Sequence, residues 1–165
     1  MSHFGGDHRY NVTGLVHDMW GFPSDNPRVA NDLLHHLVNK LENRKSQLTF
    51  FREWYTEDAE ILLISYGAAA RSARHIMENR RMVGMRVGLL ELQTLWPFPS
   101  ELIRARCRNA DYVVVVEMNL GQVVREVKAA VEEPHKVYLS NRVDGEMITP
   151  TDIKNLIRVI QGKGV

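Results

Sequence analysis

The sequence predicts an α/β fold: parallel strands joined by crossover helices, with helices covering both faces of the sheet. Three observations carry this. From Asp58 onward, short apolar segments alternate with helical patterns. The run Tyr112 to Val116 is rich in β-branched residues and does not alternate, as expected of a strand buried on both faces. That run feeds directly into Glu117-Met118-Asn119-Leu120-Gly121-Gln122, a polar turn containing glycine, before a helical pattern begins. Glu117, Asn119 and Gln122 therefore stand at the carboxyl end of a parallel strand, the edge where open α/β sheets receive ligands and partners.

The elements follow in order. Residues 1–57 are expected to form a linker, an edge strand and a helix packed on the core, and residues 58–165 the repeating βα part, together one domain. Gly5-Gly6 and Gly14 flank a short strand predicted at Tyr10 to Thr13, and Gly21-Phe22-Pro23-Ser24 reads as a turn. Asn26 as cap and Pro27 at the first helical position open an amphipathic helix to about Lys45, with Val29, Leu33, Leu37 and Leu41 on one face. The aromatic cluster Phe50, Phe51, Trp54 and Tyr55 is read as covering a core edge or facing a partner. Ile61 to Ser65, Met85 to Leu90, Tyr112 to Val116 and Lys136 to Leu139 read as strands. Helical patterns lie between them: Ala69, Ala73, Ile76 and Met77, then Leu102, Ile103 and Cys107, then Val123, Val127, Ala130 and Val131. A last helix opens at Thr149-Pro150 with Asp152 in a capping box and stops at Gly162.

Composition removes several classes of function. The chain has 165 residues, with 21 basic against 20 acidic side chains. It offers no basic field for nucleic acid. One cysteine, Cys107, builds neither a disulfide nor an iron–sulfur cluster within one copy. No apolar run is long enough to cross a membrane and no signal peptide is evident, so a cytoplasmic protein is expected.

Candidate chemistry is sparse. Gly67 and Ala68, followed by the helix-opening Arg71, form a small-residue turn whose backbone N–H groups could meet an anion or serve close helix packing. The turn lacks both nucleotide-binding glycine motifs. The seven histidines are scattered without metal-ligand spacing, and adjacent His17 and Asp18 have no nucleophile beside them. Cys107 falls at core spacing from Ile103, and Ser65 has no neighbouring catalytic motif. Catalytic and metal-ligating residues are accordingly not assigned. Trp96-Pro97-Phe98-Pro99 is a stiff aromatic loop that suits an interface or plugs its own core.

Five peptides in order carry a resemblance. They are Gly5 through Asp18, Tyr66-Gly67-Ala68-Ala69-Ala70-Arg71-Ser72-Ala73, Leu95-Trp96-Pro97-Phe98-Pro99, Glu117 through Gln122, and Gly145-Glu146-Met147-Ile148-Thr149-Pro150. Together they resemble the carboxyl-terminal part of the α subunit of 2-oxoacid:ferredoxin oxidoreductases, the 2-oxoglutarate enzymes most of all. The resemblance implies a transketolase C-terminal-domain-like three-layer αβα fold. Its five-stranded, mostly parallel sheet has the order 1-3-2-4-5 with strand 1 antiparallel, placed here at Tyr10 to Thr13. Strands 2 and 4 would lie side by side with connections leaving in opposite directions, which opens a crevice between Tyr66 to Ala69 and Glu117 to Gln122.

The resemblance also implies coenzyme A-dependent oxidative decarboxylation of a 2-oxoacid, with thiamine diphosphate, Mg and iron–sulfur clusters in the parent enzyme and electrons passed to ferredoxin. The segments that hold thiamine diphosphate and the clusters are not found here, so none of these is expected on this chain. Its expected partners are the β subunit, the remaining α-subunit domain and, through the complex, ferredoxin. A domain separated from these would expose apolar surface and self-associate. The expected role is assembly and the shaping of a substrate channel. Gly67, Ala68, Arg71, Glu117, Asn119, Gly121 and Gln122 would line the crevice, and Trp96 with Phe98 would form an apolar docking surface. A stand-alone module binding coenzyme A or another anion is the competing reading.

Overall fold

A computed structural model describes residues 3–8 and 10–162. Arg9, within the first resembling peptide, lies outside them. The chain divides into two compact units, Met1–Ser46 and Gln47–Val165.

In the N-terminal unit, β1 (Val16–His17) pairs antiparallel with β2 (Pro23–Ser24). Asp18 closes the turn between them, its Oδ1 accepting from the N–H groups of Trp20 and Phe22 at 2.9 Å each. Helix α1 (Pro27–Glu42) starts as predicted: Asn26 Oδ1 accepts from Arg28 N and Pro27 takes the first turn. It ends three residues before Lys45, where Asn43 N–H closes on Asn39 O, and the short α2 (Lys45–Leu48) then spans the division between Ser46 and Gln47.

The second unit holds β3 (Phe51–Trp54), β4 (Ile61–Tyr66), α3 (Ala69–Met82), β5 (Val87–Leu92), α4 (Ser100–Cys107), β6 (Tyr112–Glu117), α5 (Gln122–Ala130), β7 (Val137–Asn141) and α6 (Pro150–Gly162). Its five strands run β3-β5-β4-β6-β7, with β3 antiparallel and the rest parallel. This is the predicted α/β sheet and the order 1-3-2-4-5.

Strand 1, however, is not Tyr10 to Thr13. Those residues have irregular backbone, and the antiparallel edge is β3. Its sequence Phe-Arg-Glu-Trp neither alternates nor runs apolar, because Phe51 and Trp54 pack on opposite faces of the sheet while Arg52 and Glu53 between them stay exposed. The aromatic cluster thus divides, with Phe50 and Tyr55 exposed. Strand β5 begins and ends two residues later than predicted, since the charged Glu91 hides its last turn of pairing with Phe51 and Arg52.

Side chains on β4 and β6 alternate between two cores. Leu62, Ile64, Val113 and Val115 face α4 and α5, and Ile61, Leu63, Val114 and Val116 face α3 and α6. Each fully buried aliphatic side chain of this kind contributes about 1.5–3 kcal/mol relative to exposure. Both strands are therefore committed to the interior along their length, and only their carboxyl ends present chemistry to solvent.

Candidate functional site

Strands β4 and β6 are neighbours, with Ser65 opposite Val116. The connection after β4 leads to β5 on one side, and the connection after β6 leads to β7 on the other. This is a topological switch point, and the loops starting at Tyr66 and Glu117 flank it.

The turn after β6 is held from inside. Glu117 is fully buried, and its Oε2 and Oε1 accept from the backbone N–H groups of Val123 and Val124 at 2.9 and 3.0 Å. The first turn of a helix leaves such donors without helical partners, and its dipole favours negative charge. Here a strand residue fills that position. The same donors would otherwise be the anion-binding feature of α5.

Asn119 joins three strand ends. Its Nδ2 donates to Tyr66 Oη across the switch point. Its Oδ1 accepts from Gly121 N at 2.7 Å and Gln122 N at 3.0 Å, and its carbonyl accepts from Asn141 Nδ2 at 2.8 Å. Burial, and then the Glu117 charge, push the Tyr66 phenol above its ordinary pKa, while the Asn119 hydrogen bond pulls it back. Gly121 adopts φ +88°, and a Cβ there would lie 3.2 Å from Val124 Cγ1 and 3.3 Å from Leu139 Cδ2. No residue with a side chain fits that turn without strain.

The remaining predicted residues divide. Gly67 and Ala68 are exposed at the rim, Gln122 is exposed, and Arg71 is exposed with no side-chain partner among the described residues. The loop after β5 belongs to the same sheet edge, because β5 runs parallel to β4. Trp96 is 67% exposed there, whereas Phe98 is only 7% exposed and packs into the core with Ile103. Leu120, 69% exposed at the tip of the Asn119 turn, supplies the second apolar side chain. Sequence reasoning missed Leu120 and the bridging role of Tyr66. The signal for Leu120 was an apolar residue between two turn formers.

The chemistry open to this rim is limited. Ser65 is buried and donates to Val116 O at 2.8 Å, and burial pushes the Cys107 thiol up to about 12. Neither is placed as a nucleophile. No three potential metal ligands converge among the described residues. No described helix is long and apolar enough to cross a membrane. Within the N-terminal unit, His17, Asp18, Trp20, Val29, Asp32 and His36 are among the residues lining a separate cavity of about 590 Å³.

Residues 59–153 match the family described as pyruvate:ferredoxin oxidoreductase core domain II. The chain is 38% identical over 158 residues to the 2-oxoglutarate synthase subunit KorA of Methanothermobacter thermautotrophicus, covering 95% of this chain and 42% of that one. It is also 40% identical over 113 residues to the ketoisovalerate oxidoreductase subunit VorB of Methanothermobacter marburgensis, covering 68% of this chain and 32% of that one. In structure it is similar to the 2-oxoglutarate:ferredoxin oxidoreductase of Magnetococcus marinus, solved with 2-oxoglutarate, coenzyme A and succinyl-CoA bound. That likeness has TM-score 0.73 and 22% identity and covers 93% of this chain and 27% of that one. The chain thus spans less than half the length of these relatives. With the family match covering β4 through the start of α6 and the subunit relatives nearly the whole chain, it belongs to the 2-oxoacid:ferredoxin oxidoreductase α subunits as their core domain II.

Proposed function

We propose that this chain is the non-catalytic domain of the α subunit of a cytoplasmic 2-oxoacid:ferredoxin oxidoreductase, with 2-oxoglutarate as substrate of the whole enzyme. In this reading it supports subunit assembly and shapes one wall of the substrate channel. The observation that carries it is the Glu117 carboxylate seated on Val123 N and Val124 N. It occupies the donors that an anionic ligand would need, and the Tyr66–Asn119 bond spans the switch point. What stays available is a surface: Trp96 and Leu120 as apolar anchors, with Gly67, Ala68, Arg71 and Gln122 around them. Thiamine diphosphate, Mg, the iron–sulfur clusters and coenzyme A are carried by the rest of the enzyme. The β subunit and the remaining α-subunit domain are the partners, and ferredoxin is reached through the complex.

The test is the paired substitution Trp96→Ala and Leu120→Ala in the chain co-expressed with the β subunit and the rest of the α subunit. A buried Trp anchor contributes about 2 kcal/mol or more to binding, roughly thirtyfold in affinity. Co-purification should fall sharply while the thermal midpoint of the chain stays unchanged. Assembly and activity equal to wild type would contradict the docking role.

A further inference from the structure

We propose that the cavity of the N-terminal unit binds a small organic ammonium ion, an apolar body carrying one positive charge. This goes beyond the assembly role proposed above and uses none of its residues.

Two elements of that unit build the cavity. Val29, Asp32, Leu33 and His36 recur at three- and four-residue steps, so one stripe of α1 lines it. The other wall is the turn between β1 and β2, which carries Met19 and Trp20. The backbone of that turn is fixed. Asp18 N donates to Phe22 O at 2.9 Å, Gly21 N donates to Asp18 O at 3.0 Å, and Asp18 Oδ1 accepts from Trp20 N and Phe22 N. One wall is therefore in place before a ligand arrives, which lowers the ordering cost of binding. Neither wall is covered from within the unit: Met19 is 87% exposed, Trp20 is 77% exposed, and α1 buries no residue. The volume of about 590 Å³ falls in the range of small-molecule sites, about 300–1,000 Å³.

The lining decides the class of ligand. Met19, Trp20, Val29 and Leu33 make the walls apolar, so the body that fills the space is apolar too. Asp18 and Asp32 add two carboxylates, and no lysine or arginine lines the cavity among the described residues. Each carboxylate keeps an oxygen in hand. Asp18 spends Oδ1 on the turn, and Asp32 spends Oδ1 on a 3.3 Å bond from Asn31 Nδ2. Their Oδ2 atoms have no hydrogen-bond partner among the described residues. An anion would be repelled here, and a neutral apolar molecule would strip water from both carboxylates without replacing it. A cation answers both, and the Trp20 ring attracts it further. A bare metal ion is the wrong cation, because the two aspartates with His17 and His36 surround the space without any three converging. The occupant is thus an amine with a hydrocarbon or aromatic body.

The test is titration of the chain with 2-phenylethylammonium at about pH 8, above the ordinary histidine range and below that of alkyl amines. The readout is the indole N–H of Trp20 in nitrogen-15 correlated spectra. Neutral 2-phenylethanol and anionic 3-phenylpropanoate carry a similar body and serve as controls. The amine should give a saturable shift at Trp20, the alcohol should bind at least about tenfold more weakly, and the carboxylate should not bind, as expected when a charge-assisted contact is lost. Asp32→Asn should weaken the amine about tenfold at unchanged thermal midpoint, since Asp32 is exposed and its one bond is to its neighbour. Asp18→Asn keeps the oxygen that accepts from the turn and should weaken the amine to a similar extent. No saturable shift at Trp20 with millimolar amine, equal binding of the alcohol, or full amine affinity in both aspartate variants would overturn the proposal.

Discussion

Gly88 sits in β5 where a Cβ would lie 2.5 Å from Tyr55 O and 2.9 Å from Ala59 Cβ. Tyr55 itself holds φ 53°, outside the usual range for a residue with a side chain. Arg81 secures that backbone: it donates to Val87 O at 2.8 Å and Tyr55 O at 3.2 Å while pairing with Asp58. Gly88→Ala should therefore cost about 1–3 kcal/mol, the range for overpacking a filled site, read as a lowered urea midpoint. An unchanged midpoint would mean that the Tyr55 loop yields freely. Glu117→Gln keeps the size of the side chain but offers an amide where an N–H needs an acceptor. It should cost about 1–3 kcal/mol and speed hydrogen exchange at Val123 and Val124. Exchange as slow as wild type would show that the carboxylate does not hold the turn. From the sequence, Glu117 was legible as a charged group at a strand end. Its inward direction was not, because α5 packing over β6 decides it.

At the scale of elements, the legible parts are those whose signal is local. The Asn26-Pro27 start of α1 is one. The Thr149–Asp152 capping box of α6 is another, with Thr149 N donating to Asp152 Oδ2 and Asp152 N to Thr149 Oγ1. Strands β4 and β6 were visible because burial on both faces leaves a continuous apolar run. β3 was not, since its two anchors face opposite ways and its middle pair is solvated. That edge makes a pH prediction. A hydrogen bond from Arg106 is the largest effect on the Glu53 carboxyl and holds it below its ordinary value. Thr56 adds to this, and desolvation opposes it. A depressed folded pKa means stability that is present above the unfolded value, about 4.3, and lost as pH falls through the lower folded one. Both partners are about one-third exposed, so the contribution is under about 1 kcal/mol. Glu53→Gln should lower the thermal midpoint near pH 6, with the gap narrowing as pH falls below the ordinary carboxyl range. A gap that does not narrow as pH falls would point to packing instead.

For the whole molecule, the order of the sheet makes the site a surface. Two parallel strands end side by side, their loops are tied by Asn119, and the helix start beside them already holds Glu117. The fold class and sheet order were legible from the alternation of elements and the ordered peptides. The proposed docking surface was only half legible, because Trp96 reaches solvent while Phe98, two residues on, turns into the core. Calorimetric titration with coenzyme A should show no saturable heat for the chain alone, and a saturable signal would favour a small-molecule module. The most direct measurement is 2-oxoglutarate-dependent, coenzyme A-dependent ferredoxin reduction, followed for the chain alone and for the chain combined with the β subunit and the rest of the α subunit. The account predicts no turnover alone and turnover in the assembly that Trp96→Ala with Leu120→Ala diminishes; ferredoxin reduction by the chain unaided would contradict it.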